Sequence, residues 1–84
     1  MEKEIKIGDK KFKIKEMKYH QVLKLPRDDP DKAARKQFEL AVIEPKVTDE
    51  IFNELTAAEG LKLSMEINEL SGLTKDFLSE LGLT

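Results

Sequence analysis

Apolar and polar side chains alternate with a period of two near the start of the chain. Ile5 and Ile7, and then Phe12 and Ile14, fall on one face of two short segments, while lysines occupy the other face. This alternation predicts a β-hairpin over residues 4–15, with a Gly-Asp-Lys-Lys turn. We expect Ile7 to pair with Phe12 and Ile5 with Ile14, which places all four apolar side chains on one face.

After the hairpin, the apolar residues follow helical spacing, and start and stop signals divide the helices. The predicted helices are a short one within residues 15–25, one from Pro30 to Ile43 with Asp29 as its N-cap, one opened by Thr48, one from Thr56 to about Leu70, and a last short one opened by Thr74. Thr56 and Glu59 have the spacing of a capping box. Pro45 stops the helix before it, because a residue that precedes proline avoids the helical region.

These elements predict an α+β, mostly helical fold. An N-terminal β-hairpin packs on four to five short helices, because an isolated hairpin is marginal in water and the helices are what can cover it. The length of 84 residues suits a single domain, 1–84, with the hairpin in 4–15 and the helical part in 16–82.

Composition narrows the function classes. The chain is 38% charged, has a formal net charge of −2 and contains no cysteine, which excludes disulfides and thiolate chemistry. Its first residues lack the apolar run of a signal peptide, and no apolar segment is long enough to span a bilayer. We therefore expect a cytoplasmic protein with no membrane partner.

Few residues are candidates for chemistry. His20 is the only histidine and has no second ligand of its kind to form a metal site. The aspartates between residues 28 and 31 lack the glycine of a calcium loop, so helix capping explains them better. Glu66 and Glu69 have the spacing of a solvated helical face. We expect no catalytic residue, no metal ligand and no cofactor, and hence no enzyme.

Lysines concentrate in the first part of the chain and suggest one alternative function. They are Lys10, Lys11, Lys13, Lys15, Lys18 and Lys24. A lysine-rich hairpin with exposed aromatics can bind nucleic acid, which makes a small nucleic-acid-binding regulator the alternative. The acidic net charge and the expected burial of Phe12 count against nucleic acid as a partner.

Two regions carry more apolar surface than a single buried stripe requires. The helix after Thr56 has a wide apolar face, and a cluster of large apolar residues lies near the C terminus. From amphipathicity, the candidate partner-binding residues are Leu61, Met65, Phe77, Leu78 and Leu81. For the three C-terminal residues, a place in the core is the competing interpretation.

The order of several phrases resembles a known family. A lysine-rich hairpin is followed by Lys-Tyr-His-Gln-Val-Leu-Lys-Leu, and a helix then ends in Val-Ile-Glu-Pro-Lys-Val. Thr-Asp-Glu-Ile-Phe-Asn-Glu-Leu follows, and the next helix finishes with Ile-Asn-Glu-Leu-Ser-Gly-Leu. From about Ile5 to Leu81, this layout is similar to that of the tail assembly chaperones of tailed bacteriophages and prophages.

The resemblance implies a non-enzymatic function in the cytoplasm of the bacterial host. Proteins of this family bind the long tape measure protein, keep it soluble during tail assembly and help to recruit tail tube protein. The expected partners are therefore the tape measure protein and, second, the tail tube protein, with another copy of the chain as a further candidate. The family has no catalytic residues to transfer to this sequence.

Overall fold

The computed structural model describes residues 1–73, which form a three-stranded antiparallel sheet covered by helices. Along the chain, the elements are β1 (Glu2–Ile7), β2 (Lys10–Lys15), α1 (Tyr19–Val22), α2 (Pro30–Ala41), β3 (Val42–Glu44), α3 (Asp49–Glu54) and α4 (Ala57–Leu70). The predicted α+β class, with its N-terminal hairpin, is confirmed. The predicted helix opened by Thr74 lies outside the described residues.

The hairpin register differs from the predicted one by two residues. Ile5 pairs with Phe12, and Ile7 pairs with Lys10, so the turn consists of Gly8 and Asp9 alone. Gly8 has a φ of +64°, the left-handed conformation that the first position of a tight hairpin turn requires and that glycine adopts without strain. Since side chains alternate with a period of two, a slip of two residues leaves every side chain on its expected face.

A third strand replaces the predicted end of the second helix. The helix was expected to reach Ile43 but ends at Ala41, and Val42–Glu44 pairs antiparallel with β2 instead. Val42 lies opposite Ile14, and a register irregularity separates this pair from Lys13 and Glu44. The pairing makes β2 the central strand, so its backbone groups are shared with neighbours on both sides.

The core lies between the sheet and the helices. The buried apolar residues are Ile7, Phe12, Ile14, Met17, Val22, Phe38, Ala41, Val42, Leu63, Ile67 and Leu73. They come from all three strands and from α1, α2 and α4, together with the linker after β2 and the second residue after the C-cap of α4. Ile5, on the edge strand β1, is only partly buried against them.

Aromatic and cationic contacts attach α3 to α2. The rings of Phe38 and Phe52 are tilted by 55° with their centroids 5.8 Å apart. The guanidinium of Arg35 lies 5.0 Å from the centroid of the Phe52 ring and contacts the carboxylate of Asp49 at 2.7 Å. Arg35 thus contacts α3 in two ways, as a cation over the Phe52 ring and as the partner of Asp49 in an ion pair.

Candidate protein-binding surface

Helix α4 has one face in the core and another in solvent. Leu63 and Ile67, one turn apart, are both fully buried and pack against the sheet and α2. Leu61 and Met65 lie almost opposite them around the helix and remain 67% and 63% exposed. These two are among the largest exposed apolar side chains of the described chain, and both were among the candidate partner-binding residues.

Ala58 extends the exposed apolar surface toward the start of the helix. Ala58, Leu61 and Met65 are spaced at i, i+3 and i+7, so they follow one line along α4, and all three are exposed. We refer to these three residues as the α4 stripe. Lys62 and Glu69 are also exposed on this helix and provide charged neighbours. An apolar line with a charged rim is the usual composition of a surface that binds an amphipathic helix.

The other three candidate residues, Phe77, Leu78 and Leu81, lie outside the described residues. The surface considered below therefore consists of the α4 stripe alone.

Local interactions fix both ends of α4. The hydroxyl of Thr56 accepts a hydrogen bond from the Glu59 amide at 3.1 Å, and the Glu59 carboxylate accepts one from the Thr56 amide at 2.9 Å, as the sequence predicts. At the other end, Gly72 has a φ of +76°, and the Leu73 amide donates to the Asn68 carbonyl at 2.7 Å. This is a Schellman motif. The stripe is thus carried by a helix whose ends are both defined.

Two ion pairs align α4 with the hairpin. Lys3 Nζ lies 3.1 Å from Glu66 Oε2, and Lys10 Nζ lies 3.2 Å from Glu59 Oε1. Both lysines share the inner face of the hairpin with the buried isoleucines, so they reach α4 from beneath. Partly exposed pairs of this kind contribute little stability. They show the direction of α4, whose first turn lies beside the hairpin turn.

Glu59 has a perturbed acidity as a result of these contacts. The hydrogen bond from the Thr56 backbone amide, and then the neighbouring Lys10 ammonium, hold the pKa of the Glu59 carboxyl below its ordinary value. Both interactions favour the ionised form. Structural contacts at a helix N-terminus account for this shift in full, so it is not evidence for catalysis.

A buried glutamine joins α2 to α4. Gln37 is only 6% exposed. Its Nε2 donates to Asn68 Oδ1 at 2.7 Å, and its Oε1 accepts from Ser64 Oγ at 2.7 Å. Sequence analysis missed this residue, because a polar side chain in a helix is expected to face solvent. The available signal was the spacing of Ser64 and Asn68, which places two polar side chains one turn apart beside the buried face.

The hairpin lysines do not form a uniform basic surface. On the outer face of the sheet, Glu4 lies opposite Lys13 and Glu2 lies opposite Lys15, and Lys13 Nζ is 3.3 Å from a Glu2 carboxylate oxygen. Phe12 is 3% exposed, so its ring is not available to stack on a base. The arrangement offers less to a phosphate backbone than the sequence suggested.

The remaining candidate chemistry has ordinary structural surroundings. Asp29 caps α2 by accepting a hydrogen bond from the Lys32 amide at 3.2 Å, and His20 is an exposed residue of α1. Within residues 1–73, no group of three or more histidine, cysteine or acidic side chains is arranged to hold a metal ion. Over the same residues, none of the helices has the length and apolar character needed to cross a bilayer.

Comparisons with the models of known protein families, with curated proteins and with solved structures return no match.

Proposed function

We propose that the chain is a non-enzymatic protein-binding module that acts as a tail assembly chaperone of a phage or prophage. In this proposal, it binds the tape measure protein in the bacterial cytoplasm and keeps it soluble while tail tube subunits assemble. The order of phrases along the sequence supports the family. The single structural observation that supports a binding function is the α4 stripe, with Leu61 and Met65 about two-thirds exposed on a well-capped helix.

The chemistry of the stripe suits a helical client. A long helical protein exposes apolar residues at i, i+3, i+4 and i+7 until its partner subunits arrive, and a parallel apolar line can cover them. Met65 adds adaptability, because the flexible methionine side chain fits partner surfaces of different shapes. One chaperone can thus engage several segments of a long client.

The size of the stripe fits temporary binding. Two large side chains and one alanine give a small apolar contact, and the charged neighbours Lys62 and Glu69 keep it hydrated at the rim. Small interfaces are characteristic of transient complexes. A chaperone of this kind has to leave when tube subunits replace it, so modest affinity is what the proposed function requires.

Co-expression with a tape measure protein tests the proposal. The full chain should keep the client in the soluble fraction and co-purify with it, whereas the L61S/M65S variant should lose both effects. The K32S variant is the control, because it changes an exposed residue on another helix, α2, without removing apolar surface. Circular dichroism would verify that each variant is folded. A client that precipitates with the unaltered chain, or that stays soluble with L61S/M65S, would overturn the proposal.

Nucleic-acid binding is the weaker alternative. Glutamates are interspersed with the hairpin lysines, and Phe12 is buried, so no observation on the sheet favours it. An affinity for DNA or RNA that falls steeply with added salt, together with failure of the co-expression test, would reverse this ranking.

A further inference from the structure

The outer edge of β1 is an unpaired strand edge within residues 1–73. β1 pairs with β2 on one side, and no described strand lies on its other side. Its six residues, Glu2–Ile7, contain neither proline nor glycine, and the pairing with β2 is continuous. A regular edge of this kind is a template for a further strand.

The turn determines which backbone groups point outward. Ile7 and Lys10 flank the two-residue turn, so they form a hydrogen-bonded pair. Along the hairpin, hydrogen-bonded pairs then alternate with pairs whose backbone groups are not hydrogen-bonded to each other. The backbone groups of Glu4 and Lys6 therefore point away from β2, toward the free edge. A new strand would form its hydrogen bonds with these residues.

Charge selects one way for this edge to pair with itself. In an antiparallel pair of two β1 strands, one register places Glu4 opposite Lys6 of the second copy, twice by symmetry, and Ile5 opposite Ile5. Sliding the second strand by two residues in one direction places Glu4 opposite Glu4, and in the other direction it places Lys6 opposite Lys6. Like charges directly opposite one another are unfavourable. Edge lysines usually discourage pairing. The outer face of β1, however, carries Glu2, Glu4 and Lys6, and only the register with Ile5 opposite Ile5 sets opposite charges together without placing like charges opposite one another.

The helices leave space for this arrangement. α4 contacts both β1 and β2, so its axis lies above the hairpin rather than beyond the edge. A second β1 strand added at this edge, about 4.8 Å away, would therefore not meet α4 of the same copy in the plane of the sheet. Ile5, partly buried in one copy, would meet its equivalent on the same face.

We propose that two copies of the chain associate through β1 and form a continuous six-stranded antiparallel sheet, with Ile5 on the two-fold axis and Glu4 opposite Lys6 of the second copy. This inference rests on the sheet edge and does not depend on the proposed function.

Charge reversal at the edge tests the proposal. Sedimentation velocity over a series of protein concentrations should show a monomer–dimer equilibrium for the unaltered chain. Each of E4K and K6E creates two like-charge pairs, and we expect either one to weaken the dimer by roughly 10- to 100-fold. The E4K/K6E double variant should recover the dimer. K11E, which makes the same change on the same face but on the central strand, is the matched control and should dimerise normally.

Mixing the two single variants tests the proposed charge pairing most directly. The two lysines of E4K would face the two glutamates of K6E, so differently labelled E4K and K6E should form a mixed dimer although each alone is mostly monomeric. E4K places a lysine opposite Lys13, as does the double variant; if these variants fail to fold, the comparison of K6E with K11E still decides. A chain that stays monomeric at every concentration, single variants that dimerise normally, or a double variant that does not recover would each overturn the proposal.

Discussion

The contrast between the two faces of α4 leads to a prediction that uses one chemical change at two sites. Leu61→Ala and Leu63→Ala remove the same atoms from the same helix, two residues apart, so effects on helix propensity cancel between them. Leu63 is fully buried, whereas Leu61 is 67% exposed. The difference between the two variants in free energy of unfolding therefore reports how each side chain is packed.

The magnitudes follow from burial. Deleting a fully buried leucine side chain costs about 2 to 5 kcal/mol, because lost transfer free energy and a residual cavity add together. Leu61 has only about a third of its surface covered, so its deletion should cost about 1 kcal/mol or less of the roughly 1.5 to 3 kcal/mol that full burial is worth. In a domain of this size, each kcal/mol moves the melting temperature by about 4 to 8 °C.

Urea denaturation measures both variants. The free energy of unfolding should fall by at least about 1 kcal/mol more for L63A than for L61A, with m values close to that of the unaltered chain. Similar losses for the two variants would refute the reasoning, because Leu61 would then be packed against another part of the molecule. The α4 stripe would no longer be available as a binding surface.

Three further predictions concern polar contacts. Gln37→Ala should lower the free energy of unfolding by about 2 kcal/mol, because it leaves the two hydrogen-bonding partners on α4 unpaired; chemical denaturation measures this loss. Arg35→Ala should lower the stability of α3 by about 0.5 to 1 kcal/mol, because the guanidinium contact with the Phe52 ring is lost. Amide hydrogen exchange should then become faster in α3 but not in α4. Because the pKa of Glu59 is lowered on folding, its stabilising effect is full above the ordinary value of 4.5 and is lost as the pH falls through the lower folded value. E59Q should therefore lose less stability than the unaltered chain on acidification below 4.5.

A specific result would contradict each of these three predictions. A cost below about 0.5 kcal/mol for Gln37→Ala would show that water satisfies Ser64 and Asn68 equally well. Unchanged exchange in α3 after Arg35→Ala would mean that the Phe38 and Phe52 contact alone holds that helix. Identical acid-unfolding profiles for E59Q and the unaltered chain would show that the Glu59 contacts are as favourable in the unfolded state as in the folded one.

Features that depend on neighbouring residues could be predicted from the sequence. The period-two alternation identified the inner face of the hairpin, and the caps at Asp29, Thr48 and Thr56 follow from side chains within three positions of the amides they bind. The hairpin register could not be predicted, because two registers that differ by two residues place the same side chains on the same faces. The conformation of Gly8 decided between them.

Features that depend on distant contacts could not be predicted. β3 is three residues long and continues the apolar pattern of α2, so only its pairing with β2 defines it as a strand. Gln37 is buried because Ser64 and Asn68 meet it from another helix, whereas Ala34, an apolar residue one turn before Phe38 on the same helix, is only half-buried. The width of the apolar face of α4 did point to Leu61 and Met65, but which side faces outward depends on how α4 lies on the hairpin.

A titration observed by methyl NMR would show whether the α4 stripe contacts a helical client. Tape measure segments would be added to the chain with its leucine, isoleucine and methionine methyl groups labelled. The Leu61 and Met65 methyl resonances should shift first and most, while those of the buried Leu63 and Ile67 should change little. Saturating binding that leaves the Leu61 and Met65 resonances unchanged, or an absence of binding, would contradict the proposal.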